Sequence, residues 1–305
     1  MGTNTFHLVL AERTGDRATI IHRDSRFVFL GKGGIDKGII TSEAIDRALD
    51  CLRDYAAEIK AHAPSQVHVY ATSALRSAAN RQEVVQQIYD HTGLQVAVID
   101  GLLEAQLITR GVFATTPVPA DPVCIMDIGG GSVEFTISDK HTIYWEHSFE
   151  MGGQRLLSAY MSTDPIAATD IERLRRAIQS QFSALWQAIE TYHPATLVGA
   201  SGTFRSLQDM QKAATGAELP IMEKAVFAQW LTRLNKLSDT ERQLIPGLKP
   251  ERSQMIVVVL HLLAVVLEHI HDDKFYIAAG ALKEGAVANA LQVTRVGYPD
   301  ALTDD

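Results

Sequence analysis

The chain reads Asp127-Ile128-Gly129-Gly130-Gly131-Ser132-Val133-Glu134-Phe135-Thr136-Ile137 near its middle. An apolar segment, Val123–Met126, precedes it, and apolar and polar residues alternate after the glycines. This pattern predicts a β-hairpin with a glycine-rich turn. Three consecutive glycines are more than a turn needs, because each costs about 0.5–1 kcal/mol of chain order. Successive backbone N–H groups in such a turn can bind an anion, so the segment predicts a phosphate loop. An ordinary hairpin turn is the alternative.

The beginning of the chain repeats this pattern as Met1-Gly2-Thr3-Asn4-Thr5-Phe6-His7-Leu8-Val9-Leu10. Two such hairpins that face each other could hold a polyphosphate between two domains. A polar turn without a ligand is the alternative for the first copy. Asp127 has no counterpart there, because the first copy begins one residue later. We therefore expect either a natural start upstream of Met1 or a first domain without its first strand.

Strand-like and helix-like segments alternate along the chain, which predicts an α/β fold. Three prolines fall within residues 115–122 and indicate an extended connector. We therefore predict two domains, residues 1–117 and residues 118–305. Among the individual elements, periodicity predicts a strand at Phe27–Leu30 and helices at Ser73–Tyr89 and Glu251–Ile270.

Composition limits the classes of partner. The 305 residues carry a net charge of −8, with a pI of about 5.8, so no general affinity for DNA or RNA is expected. An anionic ligand would need locally concentrated positive charge. Two cysteines, Cys51 and Cys124, form no CxxC pair and favour a reducing cytoplasm. The longest apolar run, Met255–Leu267, is shorter than the roughly 20 residues that span a bilayer. It predicts a core helix and no membrane association.

Several further segments, in this order, resemble the exopolyphosphatase/guanosine pentaphosphate phosphatase family. The two glycine-containing turns are similar to the two phosphate loops of that family. The others are Ala71–Asn80, Asp100–Ala105, Gly152–Leu156, Ser201–Thr203 and Leu282–Gly285. The resemblance covers the whole chain. Two positions depart from the family pattern. Leu103 replaces the first of two glutamates, and Gln254, in the short motif Glu251-Arg252-Ser253-Gln254, stands where the family usually has Asp.

The resemblance implies two ribonuclease-H-like domains of the actin/sugar-kinase/heat-shock-70 superfold around an interdomain cleft. It further implies a Mg²⁺-dependent enzyme that releases terminal orthophosphate from inorganic polyphosphate. Hydrolysis of guanosine pentaphosphate is the second expected activity within the same class of enzyme. A polyphosphate or nucleotide sensor without turnover and a kinase of the same superfold also stay open. A homodimer is a further expectation.

Glu104 is the candidate catalytic residue. It lies between two apolar residues at the start of a predicted helix, where an acid often only interacts with the helix dipole. The resemblance implies instead that Glu104 orients and deprotonates the attacking water.

Asp127 and Glu134 are the candidate metal ligands. Asp127 ends an apolar strand, and Glu134 is the one charge in an alternating strand. Buried charges need partners, and carboxylate oxygens suit Mg²⁺. A turn-initiating hydrogen bond for Asp127 and an exposed strand face for Glu134 are the alternatives.

Arg76 is the candidate phosphate-binding cation, because its guanidinium suits bidentate contact with phosphate. Asn80 would share its helical face at the i, i+4 spacing. Arg155 is a weaker candidate for the same cleft, and a surface position is the alternative for both arginines. Together with Arg76, the expected phosphate-binding residues are Gly2, Thr3, Asn4, Thr5, Gly129, Gly130, Gly131, Ser132, Ser201, Gly202 and Thr203.

Overall fold

The computed structural model describes residues 1–119 and 121–299, so Ala120 of the predicted connector and residues 300–305 lie outside it. Strands and helices alternate as expected for an α/β protein. Residues 116–119 and 121–122 have no regular secondary structure, in agreement with a connector at this position. Among the described residues, no helix is both long and apolar enough to cross a membrane.

The first half of the chain starts with an antiparallel hairpin and ends with a long helix. Its elements are β1 (Thr5–Thr14), β2 (Arg17–Phe27), α1 (Ser42–His62), β3 (Val69–Ala71), α2 (Ser73–Arg76), α3 (Arg81–Thr92), β4 (Val96–Val98) and α4 (Gly101–Thr115), with a 3-10 turn at Ile35–Lys37.

The second half contains the larger sheet and most of the helices. Its elements are β5 (Val123–Ile128), β6 (Val133–Ser138), β7 (Ile143–Phe149), α5 (Gly153–Tyr160), α6 (Ala168–Gln181), α7 (Ser183–Tyr192), β8 (Leu197–Ala200), α8 (Ser201–Thr215), β9 (Ile221–Glu223), α9 (Lys224–Asn235), α10 (Asp239–Arg242), a 3-10 turn at Pro250–Arg252, α11 (Ile256–Leu267), β10 (Lys274–Ile277), α12 (Leu282–Ala290) and β11 (Arg295–Gly297).

The larger sheet has the strand order β7-β6-β5-β8-β10-β9. Strands β7, β6 and β5 form an antiparallel meander, and β8 and β10 continue the sheet parallel to β5. This order is that of a ribonuclease-H-like domain, with β9 added at the edge. The hairpin register places Asp127 directly opposite Glu134, so both candidate metal ligands lie at one end of the sheet.

The strands of the first half form two smaller sheets, β1-β2-β11 and β3-β4, where the second half has one continuous sheet. Within the described residues, no strand joins these two sheets. The Met1 amino group donates to the Tyr70 carbonyl at 2.7 Å, and the Thr72 N–H donates to the Met1 carbonyl at 3.2 Å. These bonds place the turn at Gly2–Thr5 beside the end of β3. The third strand of the first sheet, β11, comes from the other end of the chain. The division at residues 117 and 118 remains our proposal, with β11 as a segment that returns to the first sheet.

Each half has its own hydrophobic core. Helix α11 lies in the larger core, where eleven of its residues are buried, which confirms the expected core helix. Helices α4 and α12 cross in direct backbone contact. A Cβ atom at Gly111 would overlap the Ala281 carbonyl, and one at Gly285 would overlap the Leu107 carbonyl. The spacing of these two helices is therefore fixed without intervening side chains.

Three predicted elements differ from the structure. The predicted strand at Phe27–Leu30 is wrong beyond Phe27, because Val28 and Phe29 turn to donate to the Asn4 carbonyl. The predicted helix at Ser73–Tyr89 is interrupted at residues 77–80, where the Asn80 side chain bonds to both backbone groups of Ile40. Asn80 therefore has a structural role and does not share a helical face with Arg76. The predicted helix at Glu251–Ile270 is shorter, α11, preceded by the 3-10 turn.

Candidate active site

The two glycine-containing turns share one backbone hydrogen bond. Gly2 N–H donates to the Thr5 carbonyl and Gly129 N–H donates to the Ser132 carbonyl, both at 3.0 Å. The similarity seen in the sequence is thus a similarity of hydrogen bonding. We call Gly2–Thr5 the first loop and Gly129–Ser132 the second loop.

The two loops face each other in direct contact. A Cβ atom at Gly130 would lie 2.9 Å from Asn4 Nδ2, and one at Gly131 would lie 2.7 Å from Thr3 Oγ1. Glycine is required here because a larger residue would push the loops apart. The structure therefore brings together the two segments that the sequence predicts to bind phosphate.

The start of α5 holds the second loop in place. The N–H groups of Gly152, Gly153 and Gln154 donate to the three glycine carbonyls of the loop at 3.1, 2.9 and 2.7 Å. The N–H groups of Gly130 and Gly131 form no hydrogen bond within the described chain, so they remain available as donors to an anion. Gly152 packs so closely on this loop that a Cβ there would overlap the backbone of Gly130 and Gly131, which explains the glycine at this position.

Glu104 lies in the first turn of α4 and is 6% exposed. The Asp100 side chain caps this helix by accepting from Leu103 N–H at 2.8 Å, which fixes the turn that carries Glu104. Arg76 Nη1 donates to Glu104 Oε2 at 2.7 Å. Burial raises the pKa of Glu104, and the hydrogen bond and charge of Arg76 oppose this rise. The site thus holds a buried carboxylate whose charge depends on one arginine.

Arg76 connects Glu104 to the second loop. Its Nη2 atom lies 3.4 Å from Ser132 Oγ, and its Nη1 atom also donates to the Ile99 carbonyl at 3.3 Å. Burial alone would lower the pKa of Arg76, but its bonds to Glu104 and Glu150 outweigh this and raise it. Arg76 is therefore a fixed cation at the second loop.

Asp127 and Glu134 are buried, with 6% and 3% of their surfaces exposed. Ser201 Oγ donates to Asp127 Oδ1 at 2.5 Å, and Ser148 Oγ donates to Glu134 Oε1 at 2.7 Å. Burial raises the pKa of Asp127 to about 7. Burial, followed by repulsion from Glu104 and Asp127, raises the pKa of Glu134 well above its ordinary value. Among the described residues these two buried acids accept side-chain hydrogen bonds from hydroxyls alone, and a bound cation would stabilise such a pair.

The carboxylates of this site suit Mg²⁺, which binds partly through water and substrate, better than a metal ion coordinated entirely by protein side chains. In the described part of the chain, no group of three or more His, Cys, Asp or Glu side chains is arranged to hold a metal ion. Mg²⁺ is usually held by one or two carboxylates together with waters and substrate phosphates. Asn4 Oδ1 is also buried without a hydrogen-bond partner among the described residues. The carboxylate oxygens of Asp127 and Glu134 are thus the protein atoms that could hold the ion.

Ser201, Gly202 and Thr203 form the first turn of α8. Ser201 has a φ of +64°, a conformation that costs energy for a residue with a Cβ, and its hydroxyl bonds to Asp127. Thr203 is buried, and Gly202 packs against the Arg252 guanidinium, which a Cβ at Gly202 would overlap. Ser201 therefore contacts Asp127, one of the two candidate metal ligands, and phosphate binding by Ser201, Gly202 and Thr203 stays a prediction.

Sequence reasoning missed several cleft residues. Near the second loop, Ser73 Oγ donates to the Glu150 carboxylate, which also accepts from Arg76. Arg252 stacks over the Phe27 ring at 5.7 Å, and Lys283 pairs with buried Glu284 at 2.8 Å. Arg252 and Lys283 both act on the charge of Asp127. The short motifs containing Arg252 and Lys283 were the available signal, but their positions depend on elements far apart in sequence.

The cleft therefore brings Arg76 and Arg155 to two facing glycine loops and a buried carboxylate. Together with the two related halves, these features define a phosphoanhydride hydrolase of the actin/sugar-kinase/heat-shock-70 superfold. Residues 8–293 match the Ppx/GppA phosphatase family, and the chain belongs to that family.

Two solved structures show the extent of the similarity. An exopolyphosphatase from Cytophaga hutchinsonii is 36% identical, with 96% of each chain covered and a TM-score of 0.92. The PPX-GPPA enzyme of Aquifex aeolicus is 21% identical, with 95% of this chain and 97% of that chain covered and a TM-score of 0.78. The first similarity supports an exopolyphosphatase-like hydrolase, and the second shows the shared fold.

Proposed function

We propose that the chain removes terminal orthophosphate from inorganic polyphosphate, with Mg²⁺ as cofactor. The observation that carries this proposal is the position of Glu104, held by Arg76 beside the second of two facing glycine loops. The 36% identity to a protein described as an exopolyphosphatase favours the same substrate.

In this mechanism the N–H groups of Gly130 and Gly131, with Arg76, bind the terminal phosphate and orient it for in-line attack. Glu104 orients a water and accepts its proton. The water oxygen forms a bond to the terminal phosphorus, and the bond from this phosphorus to the bridging oxygen breaks. The shortened polyphosphate leaves with the electron pair of that bond. Bound Mg²⁺, held by Asp127 and Glu134, would neutralise charge on the phosphate oxygens.

Burial and ion pairing shift the pKa of Glu104 in opposite directions, and both effects suit a general base. A higher pKa strengthens its affinity for the proton of water, and Arg76 favours the ionised form needed to accept that proton. Because Arg76 contacts both the acid and the second loop, phosphate binding and base positioning are coupled through one side chain.

Guanosine pentaphosphate is the second candidate substrate. The Arg252 guanidinium lies over the Phe27 ring and has no ion pair among the described residues. A stacked cation and aromatic ring can receive a base or a further phosphate. This pair supports a nucleotide at the same cleft.

The deciding experiment measures orthophosphate release from polyphosphate, guanosine pentaphosphate and ATP, each with and without Mg²⁺. We expect the highest kcat/KM with polyphosphate and Mg²⁺. Faster release from guanosine pentaphosphate would favour the alternative, and transfer from ATP to an acceptor would favour a kinase. Binding of polyphosphate without turnover would favour a sensor.

We also propose that the protein is cytoplasmic and that it forms a homodimer. Both cysteines are free and buried, which is compatible with a reducing cytoplasm. A homodimer is tested by the molar mass in sedimentation equilibrium.

A further inference from the structure

The carboxylate of Glu150 lies among donors that suit a phosphate. It accepts from Ser73 Oγ at 2.7 Å, from Arg76 Nη2 at 3.1 Å and from Arg155 Nη2 at 2.9 Å. Its side chain is 44% exposed, so the carboxylate lies at the surface of the cleft. Two guanidinium groups and a hydroxyl that converge on one point are a typical set for binding an oxyanion.

These donors do not depend on Glu150 for their positions. Arg155 also donates to the Gly131 carbonyl at 2.9 Å, to the Ile35 carbonyl at 3.2 Å and to Ser77 Oγ at 2.8 Å. Arg76 is held by Glu104 and the Ile99 carbonyl. Each guanidinium thus keeps other acceptors if the Glu150 carboxylate leaves. The two guanidinium groups are therefore preorganised, and the Glu150 carboxylate is an acceptor that a phosphate could replace.

This group adjoins the second loop. A Cβ atom at Gly131 would overlap Ser73 Oγ, and Arg155 contacts the carbonyl of the same glycine. An anion held by Ser73, Arg76 and Arg155 would therefore lie next to the N–H groups of Gly130 and Gly131.

We propose that Ser73, Arg76 and Arg155 form a phosphate subsite, and that Glu150 occupies it in the ligand-free protein as an internal competitor. The inference rests on the proposed function, because it assigns one phosphate group of the substrate, or the orthophosphate product, to these donors. A phosphate group brings more oxygens and more negative charge than a carboxylate. A polyanion held at several points can displace Glu150, whereas a single orthophosphate competes with it poorly. The return of Glu150 after cleavage would then promote release of orthophosphate.

The test is the affinity for inorganic orthophosphate, measured by isothermal titration calorimetry on the full chain. Glu150→Gln keeps the size of the side chain and removes the competing charge. We expect this variant to bind orthophosphate about tenfold more tightly than the unmodified chain, because a like charge at the subsite has been removed. Glu190→Gln, an exposed change in α7, alters the net charge equally and should leave the affinity unchanged. Thermal unfolding of each variant confirms that it is folded.

A second comparison separates competition from positioning. In the Glu150→Gln background, Arg155→Gln should abolish the gain in orthophosphate affinity. If Glu150 merely positions the arginines, Glu150→Gln would leave orthophosphate affinity unchanged or weaker and would lower kcat, which overturns the proposal. A similar gain in Glu190→Gln would also overturn it, because it would reflect net charge alone.

The outcome is independent of whether the substrate assignment is correct. Orthophosphate binding is measured without turnover, so a tenfold gain in a protein that releases nothing from polyphosphate supports the subsite and rejects the proposed function. Titration with tripolyphosphate shows whether the subsite binds a phosphate group of the substrate or the orthophosphate product. A gain for tripolyphosphate larger than that for orthophosphate assigns the subsite to substrate, and the reverse assigns it to product. No gain for either, in a protein that hydrolyses polyphosphate, rejects the subsite alone.

Discussion

Arg76 donates to Glu104 across 2.7 Å, although 28 positions separate them in the chain. The candidate phosphate-binding cation is therefore the ion-pair partner of the candidate base. Removing one partner leaves the other charge buried and unpaired, which is usually more costly than the pair itself is stabilising. Variants at either position should thus change both the chemistry and the charge of the site.

Glu104→Gln should lower kcat for phosphate release by about 10²–10⁴-fold, with little change in KM, because the amide cannot accept the proton of water. Steady-state kinetics with polyphosphate and Mg²⁺ measure this effect. Glu190→Gln serves as the control for a carboxylate-to-amide change at an exposed position. A kcat near that of the unmodified chain would remove Glu104 from the mechanism.

Arg76→Lys should raise KM and shift the acidic limb of the kcat/KM profile to higher pH. Arg76 opposes the burial that raises the pKa of Glu104, so a weaker partner allows that pKa to rise further. The base would then be protonated, and inactive, over a wider acidic range. A pH profile from about 5 to 9 measures the shift. An unshifted or lower acidic limb would show that Arg76 does not control the charge of the base.

Gly130→Val should abolish polyphosphate binding in a folded protein. A Cβ here would lie 3.0 Å from Thr3 Cβ and 2.9 Å from Asn4 Nδ2, so valine separates the two loops and also obstructs the N–H donors. Binding of tripolyphosphate by calorimetry and folding by circular dichroism form the paired measurement. Gly297→Ala, where a Cβ meets nothing within 4 Å, is the matched glycine control. Unchanged binding in folded Gly130→Val would exclude this loop as the ligand site.

Mg²⁺ should raise the melting temperature of the unmodified chain and have little effect on Asp127→Asn. Ion binding to the folded state alone stabilises it by about 2.7 kcal/mol at a hundredfold excess over Kd. Asp127→Asn should also be more stable without Mg²⁺ at pH 8. Burial raises the pKa of Asp127 from 3.8 to about 7, so the unmodified chain loses folding stability as the pH rises from about 4 to about 7. An equal Mg²⁺ response in Asp127→Asn, with Asp46→Asn as the exposed control, would reject this ligand.

Gly111→Ala should destabilise the fold by about 1–3 kcal/mol, because its Cβ would overlap the backbone carbonyl of Ala281 and neither helix can yield by a rotamer change. Urea unfolding gives the free-energy difference. Gly297→Ala again provides a control without steric conflict. Equal unfolding free energies for the two variants would show that α4 and α12 can separate at no cost.

The sequence is informative where structure is local. The second loop and its strands follow from glycines and alternation within eleven residues, and the backbone bonds at Gly129 and Gly2 have the form expected from the repeated pattern. The break in the predicted helix at residues 77–80 depends on Asn80 bonding to Ile40, forty positions away. Periodicity carries no information about such a bond.

The same distinction applies to the site. Asp127 and Glu134 are adjacent through a hairpin, so their proximity could be predicted. Glu150 bonds to Ser73 and Arg76 across 77 and 74 positions, and an isolated Glu after a strand gives no sign of this. Arg252 was visible only within a short motif, and its position against Gly202 required the structure.

The pairing of β2 with β11 has a consequence for the order of folding during synthesis. Arg17–Thr19 of β2 lie beside Arg295–Gly297 of β11, and the small core around Ala18 and Ile20 is completed by residues between Val287 and Val296. The β1–β2 hairpin therefore keeps an open edge and exposed apolar side chains until residues 287–297 have been translated. Long-range pairing of this kind slows folding and leaves unpaired strand edges prone to aggregation. Nascent chains arrested before residue 287 should consequently depend more on chaperones than released full-length chains.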